Sequence, residues 1–146
     1  MNRPLQMLSV WLTQIEESEK IEEGVMYKIL IAEDDKISQK LAARFVEDLG
    51  HIPFVSPHGR HAYETLKAEN SFDVLVTDIM MPEMDGRQLV QTLRGDSQFM
   101  DMPIVIMSAV VGVSDISNLL SLGATYFMTK PIDKAEFNEV ISRCLK

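Results

Sequence analysis

Short apolar segments alternate with segments of helical spacing along most of the chain, from Tyr27 to the C-terminus. Strict alternation of strand and helix predicts a parallel sheet, joined by right-handed crossovers and covered by helices on both faces. The predicted strands are 28–32, 52–55, 72–77, 103–107 and 124–129, and the predicted helices are 36–49, 59–68, 85–94, 114–121 and 134–145. We therefore expect an α/β fold with five parallel strands.

The first of these predicted helices carries an apolar stripe at helical spacing, formed by Ile37, Leu41, Phe45, Val46 and Leu49. Gly50 follows as a C-terminal stop signal. The pattern indicates an amphipathic helix whose apolar side packs on the sheet.

Residues 1–24 form a separate segment, in which Leu5, Leu8, Leu12 and Ile15 follow the spacing of a helix. A glutamate-rich stretch comes next, and Gly24 ends the segment. The pattern predicts an amphipathic N-terminal helix that precedes a folded domain at 25–146. Two interpretations are open: the helix packs on its own domain or frays, or it forms a homodimer or docking contact through residues 5–15.

The chain has 146 residues, which suits one domain with one hydrophobic core. Its formal net charge of −8 disfavours a nucleic-acid-binding surface, because phosphate binding requires clustered lysine and arginine. The single cysteine, Cys144, excludes an internal disulfide, and no apolar segment approaches the length that spans a bilayer. We expect a cytoplasmic protein that binds neither nucleic acid nor a membrane.

Charged and hydroxyl side chains stand where the predicted strands end. They are Glu33, Asp34 and Asp35 after strand one, Asp78 after strand three, Ser108 after strand four and Lys130 after strand five. The carboxyl ends of parallel strands share one sheet edge, where ligands bind in open α/β sheets. Clustered carboxylates repel one another unless a cation lies between them, and oxygen ligands suit Mg²⁺. The sequence therefore predicts a Mg²⁺ site that could hold a phosphoryl group, and the lack of a glycine-rich loop after strand one disfavours a nucleotide cofactor.

Four linked motifs carry a resemblance to a known family. They are the acidic pair after strand one, Asp78 with the Met-Pro-Glu-Met-Asp-Gly run at 81–86, Ser108-Ala109, and Lys130-Pro131, in this order. Over residues 27–146 the chain resembles the receiver domains of two-component response regulators, including those of the chemotaxis type. The resemblance implies a flavodoxin-like, doubly wound (βα)5 fold with strand order 2-1-3-4-5. The N-terminal helix is an addition to that fold.

The resemblance implies that Asp78 is the phosphoacceptor, which takes a phosphoryl group from a phosphohistidine or a small acyl phosphate. It also implies a bound Mg²⁺, with Mn²⁺ as a possible substitute. The implied metal ligands are Glu33, Asp34, Asp78 and the backbone carbonyl of Met80. Because the apolar run ends at Ala32, Glu33 and Asp34 form the acidic pair and Asp35 caps the next helix.

Lys130 and Ser108 would bind the phosphoryl oxygens, with the Lys130–Pro131 peptide in the cis form. Phe127 takes the place of the switch aromatic, which turns inward when Ser108 moves toward the phosphoryl group. The implied pocket rim consists of Met80, Ala109, Val110 and Pro131. Because Met80 and Val110 are apolar, we expect them to shield the acyl phosphate from water and to lengthen its lifetime.

The implied function is a phosphorylation-switched binding module whose own chemistry is limited to self-phosphotransfer and slow self-dephosphorylation, so it is not a turnover enzyme. The implied donor is a histidine kinase or a histidine phosphotransfer protein. We expect no output domain after Lys146, so the output would be contact with a downstream protein. One alternative is a phosphorelay intermediate that passes the phosphoryl group to a histidine. Another is a Mg²⁺-dependent phosphatase with an Asp nucleophile, which Met80 disfavours because such enzymes carry a second Asp at that position.

Overall fold

A computed structural model describes residues 24–109 and 112–146 of the chain. The strands are β1 Lys28–Ala32, β2 Ile52–Ser56, β3 Val74–Asp78, β4 Ile104–Ser108 and β5 Tyr126–Thr129. The helices are α1 Lys36–Asp48, α2 Gly59–Ala68, α3 Gly86–Arg94, α4 Val113–Leu122 and α5 Lys134–Cys144, with a short 3-10 turn at Ser97–Phe99. The predicted N-terminal helix and Val110 lie outside the described residues. Elsewhere the predicted elements are confirmed, with ends that differ by one or two residues.

The strands form one parallel sheet in the order β2-β1-β3-β4-β5, which confirms the predicted doubly wound fold. Successive residues of β1 alternate between the two faces. Ile29 and Ile31 belong to the apolar core beneath α1 and α5, whereas Leu30 and Ala32 belong to the core beneath α2, α3 and α4. Burial on both faces explains why β3 and β4 read as almost continuous apolar runs.

Aspartate side chains begin three of the α-helices and hold their first turns, namely Asp35 in α1, Asp85 in α3 and Asp133 in α5. Asp35 accepts a hydrogen bond from the backbone N–H of Ser38 at 2.8 Å, as the sequence predicted. Asp85 and Gln88 bond reciprocally to each other's backbone N–H and form a capping box at the start of α3. Each cap satisfies N–H groups that a helix start otherwise leaves without a partner. The caps thereby place the first turns of α1 and α3 at the carboxyl edge of the sheet.

The apolar stripe predicted for α1 is partly wrong. The residues that α1 buries are Gln39, Ala42 and Val46. By contrast, Ile37 is 78% exposed and Leu41 is 37% exposed. Each residue turns a helix by about 100°, so Ile37 lies opposite the stripe of Ala42 and Val46. Apolar spacing along α1 therefore described two surfaces, one that packs on the sheet and one that faces outward.

In the part of the chain that the structure describes, no helix combines the length and the apolar character needed to cross a membrane.

Candidate functional site

Glu33 stands directly after β1 and is held from several sides. Its side chain is fully buried, and its backbone N–H donates to the carbonyl of Ser56 at 3.0 Å. Its Oε2 accepts from the N–H of Asp35 at 3.1 Å, and its carbonyl accepts from the Gln39 side chain. Burial raises the pKa of the Glu33 carboxyl above its usual value, against the opposing effect of its bond to Lys130.

Asp78 is the last residue of β3 and is 8% exposed. Its Oδ1 accepts a hydrogen bond from the backbone N–H of Ile79 at 2.7 Å. Its Oδ2 accepts from the Lys130 Nζ at 2.8 Å. The carboxylate is thus fixed in orientation at the point where the chain leaves the sheet.

Lys130 follows β5 and bridges two carboxylates, that of Glu33 after β1 and that of Asp78 at the end of β3. Its Nζ bonds to both Asp78 and Glu33, and its backbone N–H donates to the carbonyl of Ser108 at 2.9 Å. The Lys130–Pro131 peptide is cis, as predicted. Burial disfavours the charged ammonium, but the hydrogen bonds to Asp78 and Glu33 outweigh it and raise the pKa of Lys130. The lysine therefore stays charged between two carboxylates.

The structure brings together the three carboxylates predicted as metal ligands. One oxygen from each of Glu33, Asp34 and Asp78 lies within 4.8 Å of the other two. Asp34 is exposed, whereas Glu33 and Asp78 are buried. Three carboxylates and one ammonium leave two negative charges, which one divalent cation balances. Oxygen donors and a solvent-open side are the conditions under which Mg²⁺ binds proteins, so these residues fit the ion.

An open cavity of about 470 Å³, the acceptor cavity, lies in front of the carboxylate of Asp78, the predicted phosphoacceptor. It is lined by Asp78, Ile79, Met80, Arg87, Ser108, Ala109, Asp115 and Lys130. Two of the predicted rim residues, Met80 and Ala109, therefore lie at this cavity. Pro131 lines a neighbouring groove instead, and Val110 lies outside the described residues. A cavity of this size has room for a phosphoryl group.

The neighbouring groove has a volume of about 140 Å³ and an apolar lining. Ile37 and Leu41 form its α1 side, and Pro131 and Ile132 form its opposite side. Lys130 lines both the groove and the acceptor cavity. The exposed apolar groove thus shares Lys130 with the cavity in front of Asp78.

Gly86 fixes the start of α3 against Asp78 and Ile79. Its N–H donates to the carbonyl of Ile79 at 2.8 Å. A Cβ at this position would lie 2.2 Å from the carbonyl oxygen of Asp78, far inside contact distance. Only glycine permits this approach, so the Met-Pro-Glu-Met-Asp-Gly run sets the distance between α3 and the acceptor.

The two predicted switch residues lie on neighbouring strands. Ser108 ends β4 and is 5% exposed. Phe127 is half-buried and packs against the core beneath α2, α3 and α4. Their proposed movement stays a prediction.

Three polar or charged residues of the site were not predicted from the sequence. Gln39 bonds to the backbone of Glu33 from the buried side of α1, and Arg87 and Asp115 line the acceptor cavity from the first turns of α3 and α4. The apolar stripe predicted for α1 includes Ile37 and Leu41, on either side of Gln39, and does not include Gln39 itself. The predicted start of α3 at the sheet edge was the available signal for Arg87.

The response regulator receiver domain family matches residues 29–142. The chemotaxis protein CheY1 of Helicobacter pylori is 31% identical over 105 residues, which are 71% of this chain and 85% of that protein. The transcriptional regulatory protein CrdR of the same species is 31% identical over 116 residues, 80% of this chain, and the match spans 54% of its length.

A solved structure has the same fold. The receiver domain of the sensor histidine kinase PA1611 from Pseudomonas aeruginosa, with a magnesium ion in its active site cleft, has a TM-score of 0.76 at 22% identity. The match covers 83% of this chain and 98% of that domain. Together with the family match over 29–142, the shared strand order and the acidic sheet edge, these likenesses show that the chain belongs to the response regulator receiver domains of two-component signalling.

Proposed function

We propose that this receiver domain is switched by phosphorylation of Asp78. One observation carries the proposal: the Asp78 carboxylate lies 2.8 Å from the Lys130 ammonium and within 4.8 Å of the carboxylates of Glu33 and Asp34, with an open cavity in front of it. That arrangement supplies a nucleophile, a cation for the transferred oxygens and an oxygen-rich metal site. The donor is the phosphohistidine of a histidine kinase or of a phosphotransfer protein.

In the transfer step a carboxylate oxygen of Asp78 forms a bond to phosphorus while the phosphorus–nitrogen bond of the donor breaks. The imidazole nitrogen keeps the electron pair of the broken bond. Lys130 exchanges its bond to the Asp78 oxygen for one to a phosphoryl oxygen, and an ammonium serves this role as a mobile point charge. Ser108 donates its hydroxyl to another phosphoryl oxygen. Little covalent chemistry is needed, since placement and charge stabilisation provide most of the catalysis.

Glu33, Asp34, Asp78 and the backbone carbonyl of Met80 would hold Mg²⁺, or Mn²⁺ in its place. A bound divalent ion neutralises charge that develops on the phosphoryl oxygens. Glu33 contributes from a buried position fixed by Asp35 and Gln39, whereas Asp34 contributes from the exposed side. The magnesium ion in the cleft of the Pseudomonas aeruginosa receiver domain supports this assignment.

The proposed output is a change in protein contacts. Ser108 shifts toward the phosphoryl group, and Phe127 turns into the space that this shift vacates. The surface made by α4, β5 and α5 then favours one of two pre-existing shapes. The chain's own chemistry is confined to self-phosphotransfer and slow self-dephosphorylation.

The groove beside Lys130 is the proposed docking surface of the donor protein. A protein donor must bring its phosphohistidine to Asp78, so its contact surface must adjoin the acceptor cavity. Ile37 and Leu41 offer exposed apolar side chains at that place. A helix that carries the donor histidine can bury them, and loss of exposed apolar area favours binding.

The test is to incubate the full chain with Mg²⁺ and a small acyl phosphate and to measure intact mass. We expect the mass of one phosphoryl group to be added, and we expect Asp78→Asn or excess EDTA to abolish it. Mass addition that survives Asp78→Asn would contradict the proposal. Turnover of phosphate monoesters would favour the phosphatase alternative, and return of the phosphoryl group to an isolated phosphotransfer protein would identify a relay intermediate.

A further inference from the structure

The acceptor cavity contains a second cation, Arg87. It lies in the first turn of α3, directly after Gly86, whose backbone N–H donates to the carbonyl of Ile79, the residue after Asp78. This hydrogen bond holds the first turn of α3, and with it the backbone of Arg87, beside Asp78. The side chain then lines the same cavity as Asp78 and Lys130.

The two cations of this cavity differ in their partners. Lys130 is bonded to Glu33 and Asp78. Within residues 24–109 and 112–146, Arg87 takes part in none of the ion pairs, which involve other basic side chains. Arg87 is therefore the cation of the cavity that can accept a new anion without breaking an existing pair.

Phosphorylation makes that anion. A phosphoryl group on Asp78 replaces one carboxylate charge by a charge of about −1.5 to −2 and adds strong acceptor oxygens. Asp115 adds a further negative charge from α4, where it lines the same cavity and lies 3.4 Å from the N–H of Gly112. Glu33, Asp34, Asp115 and the phosphoryl group together carry a charge of about −4.5 to −5, which exceeds the +3 of Lys130 and the proposed Mg²⁺. A guanidinium presents a planar pair of donors that fits phosphate oxygens.

We propose that Arg87 binds the phosphoryl group on Asp78 from the α3 side, whereas the carboxylate of Asp115, which lines the same cavity, repels that group. The proposal rests on the phosphorylation of Asp78 proposed above. It makes Arg87 a phosphoryl-binding residue whose loss shortens the phosphorylated state. It also makes the charge of Asp115 unfavourable for that state.

The experiment measures binding of beryllofluoride, which mimics the acyl phosphate, to the full chain at saturating Mg²⁺ by calorimetry. Arg87→Gln is expected to lower the affinity about 10-fold or more, the effect of losing a hydrogen bond to a charged group. Arg87→Lys is expected to recover part of the loss, and Asp115→Asn is expected to raise the affinity. The matched control is Arg60→Gln, since Arg60 is exposed on α2 and is not among the residues that line the cavity, and this variant is expected to bind as the unchanged chain does.

Two further measurements distinguish phosphoryl binding by Arg87 from a purely structural role. The thermal midpoint and the Mg²⁺ affinity without beryllofluoride are expected to be the same for Arg87→Gln and for the unchanged chain. If Arg87→Gln binds beryllofluoride as the unchanged chain does, the role of Arg87 is wrong and the proposed function stands. If the unchanged chain takes neither beryllofluoride nor a phosphoryl group, both proposals are wrong.

Discussion

The Nζ of Lys130 lies 2.8 Å from the Oδ2 of Asp78 and also bonds to Glu33, so that one ammonium joins the ends of β1, β3 and β5. Asp78 and Lys130 are 52 positions apart in the chain. The contact therefore exists only when the parallel sheet is complete. It neutralises part of the acidic cluster and places a cation where the phosphoryl oxygens of the proposed reaction arrive.

Replacing Lys130 with methionine should destabilise the chain, because Glu33 is fully buried and would lose its cation. Removal of one partner from a buried pair costs about 3 kcal/mol of unfolding free energy. Urea unfolding without Mg²⁺ measures this loss. Lys134→Met is the control, since its ion pair with Asp48 is exposed and its loss should cost under about 1 kcal/mol. Equal stability of the two variants would show that Lys130 contributes no more than a surface lysine.

Gly86→Ala should disturb the acceptor directly, since the added Cβ would lie 2.2 Å from the carbonyl oxygen of Asp78. Relief of that overlap requires movement of backbone and should cost about 1–3 kcal/mol. Loss of phosphorylation by a small acyl phosphate should accompany the lower stability in urea. Gly95→Ala is the matched control, because a Cβ at Gly95 would lie 3.4 Å from its nearest neighbour, the carbonyl oxygen of Gln91. Phosphorylation of the Gly86→Ala variant at the same rate as the Gly95→Ala variant would be inconsistent with this account.

Ile37→Glu should slow phosphorylation by a protein donor and leave phosphorylation by a small acyl phosphate unchanged. The substitution places a charge on the exposed apolar groove beside Lys130 and leaves the acceptor cavity unchanged. Transfer from a phosphohistidine protein should fall about 10-fold or more, the range for an interface hot spot. Phosphorylation by a small acyl phosphate should not change. Met100→Glu, at another exposed apolar side chain outside the groove, is the control, and equal loss in both variants would argue against docking at the groove.

Met80→Asn should shorten the lifetime of the phosphorylated chain. Met80 is 76% exposed and lines the acceptor cavity, where an apolar side chain excludes water from the acyl phosphate. An amide there can instead hydrogen-bond an attacking water. Loss of protein-bound phosphate, followed by mass after donor removal, measures the rate. An unchanged rate in Met80→Asn and in the double variant with Val110→Asn would disprove the shielding role.

The Cys144 thiol should react slowly with alkylating reagents in the folded chain. Burial raises its pKa to about 11, whereas an unfolded cysteine has a pKa of about 8.5. The thiolate is the reactive form, so at pH 8 the folded chain should be alkylated over 100-fold more slowly than the chain in urea. The folded rate should keep rising with pH beyond the point where the unfolded rate has levelled off. Equal rates at pH 8 would show that the thiol is not buried in solution.

Much of the site was predictable because parallel strands place their carboxyl ends at one edge. Glu33, Asp78, Ser108 and Lys130 were assigned to that edge from strand ends alone, and the structure places them there. Asp35 was assigned to the cap of α1 by the same counting. A strand end is a local signal, so counting residues is enough to find it.

The rotation of α1 was not predictable in the same way. Apolar spacing gave equal weight to Ile37 and Val46, although one is exposed and the other is buried. Gln39 was passed over because a polar side chain inside a helix usually faces solvent. Its burial depends on the carbonyl of Glu33, a hydrogen-bond partner that exists only after α1 packs on β1.

The sequence by itself determined the order of strands and helices and the sheet edge that carries the charged side chains, and its resemblance to the receiver family predicted Asp78 as the acceptor. These predictions follow from the periodic spacing of apolar residues, from the strand ends and from the run at 81–86, which are all local properties of the chain. The tertiary structure decided which cations meet which carboxylates, and it brought Arg87 and Asp115 to the cavity in front of Asp78. Contacts between elements depend on the angle at which each helix packs on the sheet, and that angle comes from the whole core.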